Sequence, residues 1–384
     1  MVASGYPRLL EPPRQSFFLL GPRGTGKSTW ARERFPQADR IDLLDEALYQ
    51  ELLADPGLFA DRLRARPPGS WVWVDEVQRL PGLLNEVHRF IEERRLRFVL
   101  TGSSARKLRR AGVNLLGGRA LSKSLFPFLP EELGADFDLK RALRWGTLPL
   151  VESAEDPAAT LQAYVQTYLR QEIQAEALVR NLPGFARFLP VAALFHGQTL
   201  NVAALARDAG VARTTIEGYL EILEETLLAF RLPAWEARLR VRERRHPKLY
   251  WVDAGIVRAA RRTLGEPSAE ERGALLEGTV AMLLRAYDAY LGLYDDLAYW
   301  SPAETVKTEV DFLLRHGSRF VAVEVKASPR ADAESLRGLR AIAGLAGLER
   351  RVLVYLGRAP RRTEDGIEVL PFSDFAALLA AGKL

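Results

Sequence analysis

Three short, unbroken apolar runs punctuate the first 130 residues: QSFFLL (15–20), SWVWV (70–74) and LRFVL (96–100). Runs of this length without polar alternation predict strands covered on both faces. Between them, DEALYQELL and LLNEVHRFIEE repeat apolar positions every three or four residues, the period of a helix with one packed side. Strand–helix alternation of this kind predicts a parallel sheet wrapped by helices, an α/β fold.

The pattern changes at LFPFLPEELG (125–134), whose prolines mark a boundary. Residues 131–185 read as a mostly helical linker or lid, and 186–235 as a compact helical unit. From 236 the chain returns to α/β character: a basic segment EARLRVRERRHPK, then LYWVDAG, a long helix over about 270–291, a hairpin and the strand RVLVYL. Four segments are therefore expected, 1–130, 131–185, 186–235 and 236–384.

The hairpin EVDFLLRHGSRFVAVEVKAS (309–328) carries charge among valines and phenylalanines. Taking RHGS (315–318) as the turn pairs Leu314 with Arg319, Asp311 with Ala322 and Glu309 with Glu324. Period-two alternation then projects Glu309, Asp311, Glu324 and Lys326 from one face, and Val310, Phe312, Leu314, Val321, Val323 and Val325 from the other. Carboxylates facing each other repel unless a divalent cation lies between them. Lys326 would orient an attacking water or steady a developing phosphorane charge. Glu277, at the edge of the helical stripe Leu276, Val280, Leu283 and Leu284, would join them. A charge network without chemistry is the alternative.

GPRGTGKS, Gly21 to Ser28, follows a strand and precedes a helix, which is the context a phosphate-binding loop needs. The backbone N–H groups of Gly21, Pro22, Arg23, Gly24, Thr25 and Gly26 (proline lending only its turn) would curl around phosphates. Lys27 would reach the β and γ oxygens, Ser28 would hold Mg²⁺, and Thr29 lies in the helix whose positive end faces the anion. WVWVDEVQRL ends a strand in Asp75, a second Mg²⁺ contact through water, and Glu76, which would activate the attacking water. Ser103 after LRFVL is the candidate γ-phosphate sensor, with Thr101 and Ser104 as alternatives. Arg119 in LLGGRA is either an arginine finger offered to a neighbouring subunit or a solvated surface residue, and Arg106 is another candidate finger.

In NVAALARDAGVARTTIEGYLEILEE (201–225), Ala206, Gly210 and Ile216 have helix-turn-helix spacing, the mark of a winged-helix unit. The second helix would bury Ile216, Leu220 and Leu223 and present Arg213, Thr214, Thr215 and Glu217 to DNA. Glu217, Glu221, Glu224 and Glu225 would repel phosphate, which favours a partner-binding scaffold instead. Nearby Arg238, Arg240, Arg242, Arg244, Arg245 and Lys248 form a cationic strip suited to a phosphate backbone.

Composition adds limits. The 384 residues contain no cysteine, which excludes disulfides and thiolate chemistry. A net charge of +5, with 46 arginines against eight lysines, leans towards anionic partners. No apolar run reaches the roughly 18 residues of a membrane span, so no membrane is expected and a cytoplasmic setting is the default.

The phosphate loop, VDEVQRLP, LTGSSA…LLGGRA and LFPFLPEE, in this order, resemble AAA-type ATPases that carry a C-terminal uncharacterised domain related to the PD-(D/E)xK nuclease fold. The likeness continues through HPKLYWVDAGIV, LLEGTVAMLL, EVDF and VEVKAS, nearly the whole chain. It implies a RecA-like ATPase core using ATP and Mg²⁺, homo-oligomers with a hexameric ring favoured, and a nucleic-acid connection. The hairpin is similar to the D-x(n)-E-x-K arrangement, although Val310 stands where those nucleases have proline. The expected function is a motor or remodelling factor for duplex or branched DNA with weak or absent nuclease activity. A nucleotide switch for a protein partner and an ATP-gated nuclease are the alternatives.

Overall fold

The computed structural model describes residues 5–103, 117–168, 181–235, 246–302 and 308–384. Where four segments were expected, the chain packs as two compact units. The first comprises Met1–Phe128 with Leu148–Ser153 and Glu225–Leu228; the second comprises Leu129–Thr147, Ala154–Glu224 and Ala229–Leu384.

The first unit is built on a parallel sheet of β1 (Phe17–Leu20), β2 (Asp39–Asp42), β3 (Trp71–Asp75), β4 (Arg97–Gly102) and β5 (Leu121–Ser124), in the order β2-β3-β4-β1-β5. Helix α1 (Lys27–Arg34) follows β1, α2 (Glu46–Ala54) and α3 (Gly57–Arg64) follow β2, and α4 (Leu83–Arg94) leads into β4. The apolar runs predict β1, β3 and β4 because both sheet faces are covered. One face packs Phe18, Val72, Val74, Phe98 and Leu100 with Phe59, Leu63, Leu84, Val87 and Phe90. The other gathers Phe17, Trp30, Phe35 and Trp71 in edge and tilted ring contacts. With β4 between β3 and β1, the carboxyl ends of these three strands lie side by side, where open α/β sheets bind ligands.

The second unit contains a six-stranded mixed sheet of β9 (Asp296–Trp300), β10 (Val310–His316), β11 (Arg319–Lys326), β12 (Leu348–Tyr355), β13 (Arg361–Arg362) and β14 (Glu368–Pro371), ordered β13-β14-β12-β11-β10-β9. The long helix runs from Ala269 to Leu291 and packs against β11. A helix-turn-helix, Val202–Ala209 and Arg213–Glu225, accompanies a small antiparallel sheet of β6 (Gln198–Thr199), β7 (Ala229–Leu232) and β8 (Lys248–Trp251). The sequence division at 236 separates β8 from the strands it joins.

The hairpin differs in register from expectation. Phe312 pairs with Val323, Leu314 with Val321 and His316 with Arg319, leaving Gly317–Ser318 as a two-residue turn. Gly317 takes φ of 60°, which glycine supplies freely. Continued beyond Phe312, this register sets Asp311, and not Glu309, against Glu324, and the Val325 N–H donates to the Asp311 Oδ2 at 2.8 Å. The slip is two residues, so the facing of alternate side chains is conserved. Val310 departs from the expected apolar face: it packs with Leu313 and Ala322, where pairing to β9 is irregular.

Candidate functional site

At the end of β1 the backbone turns through Gly24 and Gly26, both with φ near +80°, into α1. Gly21 passes so close to the Leu125 carbonyl that a Cβ would lie 2.4 Å from its oxygen, so a side chain cannot replace it. Thr25 fixes the curl by donating its hydroxyl to the Pro22 carbonyl at 2.8 Å. Lys27 is buried, and its Nζ donates to the carbonyls of Gly21 and Pro22 at 2.8 and 3.0 Å.

Asp75, at the end of β3, is almost wholly buried. Its Oδ1 accepts from the Ser28 hydroxyl at 3.1 Å and from the Thr101 hydroxyl at 2.5 Å. Its Oδ2 pairs with Arg40 at 3.2 Å. Ser28 and Asp75 thus stand side by side as a hydroxyl and a carboxylate oxygen, the hard donors that Mg²⁺ takes alongside water and phosphate. The residues present fit that ion.

Glu76 adopts φ 57°, ψ 44°, a left-handed conformation that is costly for a residue with a Cβ. Gln78, which is buried, steadies it: its Nε2 donates both to the Glu76 carboxylate and to the Ser103 hydroxyl, the latter at 3.1 Å. A Cβ on Gly102 would come within 2.5 Å of the Gln78 Oε1, so Gly102 makes room for this link. Of the expected residues, Lys27, Ser28, Asp75, Glu76 and Ser103 gather here, and Thr101 serves Asp75. Ser104 and Arg106 lie outside the described residues. Arg119 is a half-exposed arginine paired with Glu92.

Two members of this site escaped the sequence reading. Gln78 was signalled only by its spacing, two residues beyond Glu76. Arg40 gave no signal: β2 pairs with β3 so that Arg40 lies beside Trp73, where its guanidinium stacks 4.5 Å from the ring and reaches both Asp42 and Asp75.

In the second unit, Glu277, Asp311, Glu324 and Lys326 lie around a second acidic cluster, with a different centre from the one expected. Lys248, expected on a DNA-facing strip, is buried at the start of β8 with its side chain 2% exposed. Its ammonium meets Glu277 at 2.9 Å, Glu309 at 3.2 Å and Asp311 at 3.3 Å. That overturns its assignment as a DNA contact: a strand whose residues are all buried carries it inward. Arg240, Arg242, Arg244 and Arg245 lie outside the described residues.

Burial works against charge on Lys248, but Glu277, Asp311 and Glu309 outweigh it and hold the ammonium well above its ordinary range. Burial, then the Asp311 carboxylate, push Glu277 up to about 7. The same two causes raise Glu324 well above the usual carboxylate range. Lys326 pairs with Glu324, and the Asp311 and Glu324 carboxylates raise it against the cost of burial. Glu324, Glu309 and Lys326 open with Asp332, Glu334 and Ser335 onto a cleft of about 300 Å³. Among the described residues, no three His, Cys, Asp or Glu side chains are grouped so as to hold a metal ion.

In the helix-turn-helix, Gly210 makes the turn with φ 62°, while Ile216, Leu220 and Leu223 are buried. Arg213 and Thr214 are exposed and Thr215 is half-buried. Arg231 reaches Glu224 at 2.6 Å and Glu217 at 3.5 Å, so these two carboxylates are partly neutralised. No helix among the described residues is long and apolar enough to cross a membrane.

Residues 13–134 match the AAA domain family, 136–267 a domain of unknown function (DUF8612) and 272–375 another (DUF4143). The loop, Asp75 and Glu76, assembled at the strand ends, all lie within the AAA-type domain, which is built on the parallel sheet of a mixed α/β fold. Uncharacterized protein Rv2008c of Mycobacterium tuberculosis and uncharacterized protein Mb2031c of Mycobacterium bovis are each 30% identical to it over 366 residues, covering 92% of this chain and 79% of theirs. The chain belongs to the family of these mycobacterial proteins.

Among solved structures, the Aeropyrum pernix ORC1 protein in complex with DNA is 13% identical, covering 66% of this chain and 87% of its own, with a TM-score of 0.27. A signal transduction ATPase with numerous domains, PH0952 from Pyrococcus horikoshii, is 16% identical over 75% of this chain and 49% of its own, with a TM-score of 0.25. Both scores are too low for an inference about this chain.

Proposed function

We propose that the protein hydrolyses ATP with Mg²⁺ at the loop Gly21–Ser28 and uses the cycle to act on duplex or branched DNA. The observation carrying the first half is the linked pair of contacts at the strand ends: Ser28 and Thr101 on Asp75, and Gln78 between Glu76 and Ser103. Lys27 exchanges its two carbonyl partners for β and γ phosphate oxygens, a gain because a charged acceptor replaces neutral ones. Ser28, and Asp75 through water, would hold Mg²⁺, which would supply positive charge against that developing on the transferred phosphoryl group. Glu76 accepts the proton of the attacking water, with Gln78 fixing the carboxylate's position. The Ser103 hydroxyl donates to the γ-phosphate, and its shared partner Gln78 ties that contact to Glu76.

The DNA half is supported by the exposed Arg213 and Thr214 at the start of the second helix of a winged-helix-like unit, with Arg231 tempering the acidic residues behind them. The test is the ATPase rate with duplex and branched DNA at rising salt. Stimulation that fades steeply with salt, and is lost in Arg213→Glu, is expected. A second reading, a nucleotide switch that grips a protein partner, is favoured by exposed Glu221 on the same helix. A rate indifferent to every DNA form decides for it.

The nucleotide site is completed by a neighbouring subunit in a ring, hexameric by preference, with Arg119 as the finger. Its surface pair with Glu92 is worth little in water, so a triphosphate can draw it away. Mixing Arg119→Ala with Lys27→Ala subunits should restore activity at mixed interfaces. Confirmed mixed assemblies without activity exclude Arg119 as the finger.

A further inference from the structure

The nuclease likeness of the C-terminal unit implies a divalent metal between Glu277, Asp311 and Glu324, and the residues present do not fit one. From their arrangement we infer that Lys248 is the resident cation of this cluster: its ammonium fills the position a metal would take, and its removal converts the cluster into a divalent-cation site.

An ammonium has three N–H donors, and the three carboxylates of Glu277, Glu309 and Asp311 supply one acceptor each, at 2.9–3.3 Å. The valence of the group is therefore used up inside the protein. Three oxygens from a helix, a strand start and a strand surround it much as they would surround a hard cation. Further donors hold two of these carboxylates in place: the Tyr250 hydroxyl donates to the same Glu277 Oε1 that Lys248 meets, and the Val325 N–H to the second Asp311 oxygen, Oδ2. Tyr299 closes the remaining side, its ring centroid 5.4 Å from Nζ.

Lys248 is not a side chain that happens to swing inwards. It opens β8, whose residues are all buried, and β8 is held by β6 and β7, so its direction is set by the sheet. A metal entering this position would meet a fixed positive charge.

One acceptor nearby lacks a partner. Glu324 is buried, its Oε1 is taken by Lys326, and its Oε2 has no hydrogen-bond partner. It lies close to Gly338, in the wall of the acidic cleft. With Lys248 gone, Glu277, Glu309 and Asp311 lose their cation while this oxygen stays available. A divalent ion then replaces the lost charge and offsets part of the carboxylates' mutual repulsion.

The experiment is a Mn²⁺ titration of the full chain without nucleotide, read by the electron paramagnetic resonance signal of free Mn²⁺. It compares wild type, Asp311→Asn, Lys248→Met and Lys248→Met with Asp311→Asn. Wild type and Asp311→Asn should bind Mn²⁺ alike. Lys248→Met should bind about one ion more per chain, and the added Asp311→Asn should remove it. Lys248→Gln, which keeps a hydrogen-bond donor towards the carboxylates, serves as the second variant should the methionine chain not fold. Wild-type Mn²⁺ binding that Asp311→Asn abolishes overturns the inference, whichever variants fold. So does a folded Lys248 variant that gains no ion. The readout is independent of ATP hydrolysis, so the ATPase proposal can fail without affecting it.

Discussion

Lys27 and Lys248 are both buried lysines, yet their partners give them opposite prospects. Lys27 is held by the neutral carbonyls of Gly21 and Pro22. An arriving triphosphate offers better acceptors, and the carbonyls lose little when the ammonium leaves. Lys248 is held by Glu277, Glu309 and Asp311. Pulling it away would strand buried carboxylates, so the contact is closed to ligands. Availability for chemistry is set by what a charged group already touches, and residue type alone does not reveal it.

The sharpest way to break this contrast is to remove each lysine in turn. Lys27→Ala should lower ATP turnover by at least about 100-fold while changing thermal unfolding much less, since the carbonyls of Gly21 and Pro22 that it leaves are neutral. Lys248→Met should do the reverse, destabilising the second unit by roughly 3–5 kcal/mol through uncompensated carboxylates. Denaturant unfolding and nucleotide affinity, measured on both variants, check the pair. Equal effects of the two substitutions on stability would erase the distinction.

A smaller effect is expected at Gln78. Gln78→Ala removes the donor shared by Glu76 and Ser103 and should lower kcat about tenfold while ATP affinity holds. Loss of affinity and kcat together would make Gln78 a packing residue of the loop instead.

A more gradual effect is expected with pH, confined to the second unit. Glu277 is raised from 4.5 to about 7 by burial and Asp311, so the folded state holds a proton there that the unfolded chain releases. Stability should accordingly fall as pH rises from about 4.5 to 7 and level off above, by on the order of 1–3 kcal/mol. Unfolding of Glu277→Gln across the same range should show a shallower slope.

How much of this was legible in the sequence follows the same contrast. The apolar runs of β1, β3 and β4 end beside the residues that the motifs single out, so periodicity and motif coincide, and Lys27, Ser28, Asp75, Glu76 and Ser103 fall together. The hairpin was legible in facing and not in pairing. Alternation fixes which side chains share a face, whereas register depends on a turn of two residues, Gly317–Ser318, that the sequence does not separate from four. Lys248 was misread because it closes a run of arginines; its other neighbour, the apolar LYWV, was the signal that it belongs to a buried strand. Arg40 and Gln78 were invisible for a different reason. Each acts across strands or a tight turn, through contacts that only the order β2-β3-β4-β1 creates.

The central claim is that Glu76 activates water at a loop that binds ATP without it. Glu76→Gln, compared with wild type for equilibrium ATP binding and for single-turnover hydrolysis, tests this most directly. Unchanged affinity with hydrolysis slowed by about 100-fold or more is the expected result. Hydrolysis at the wild-type rate would contradict it and place the catalytic base elsewhere.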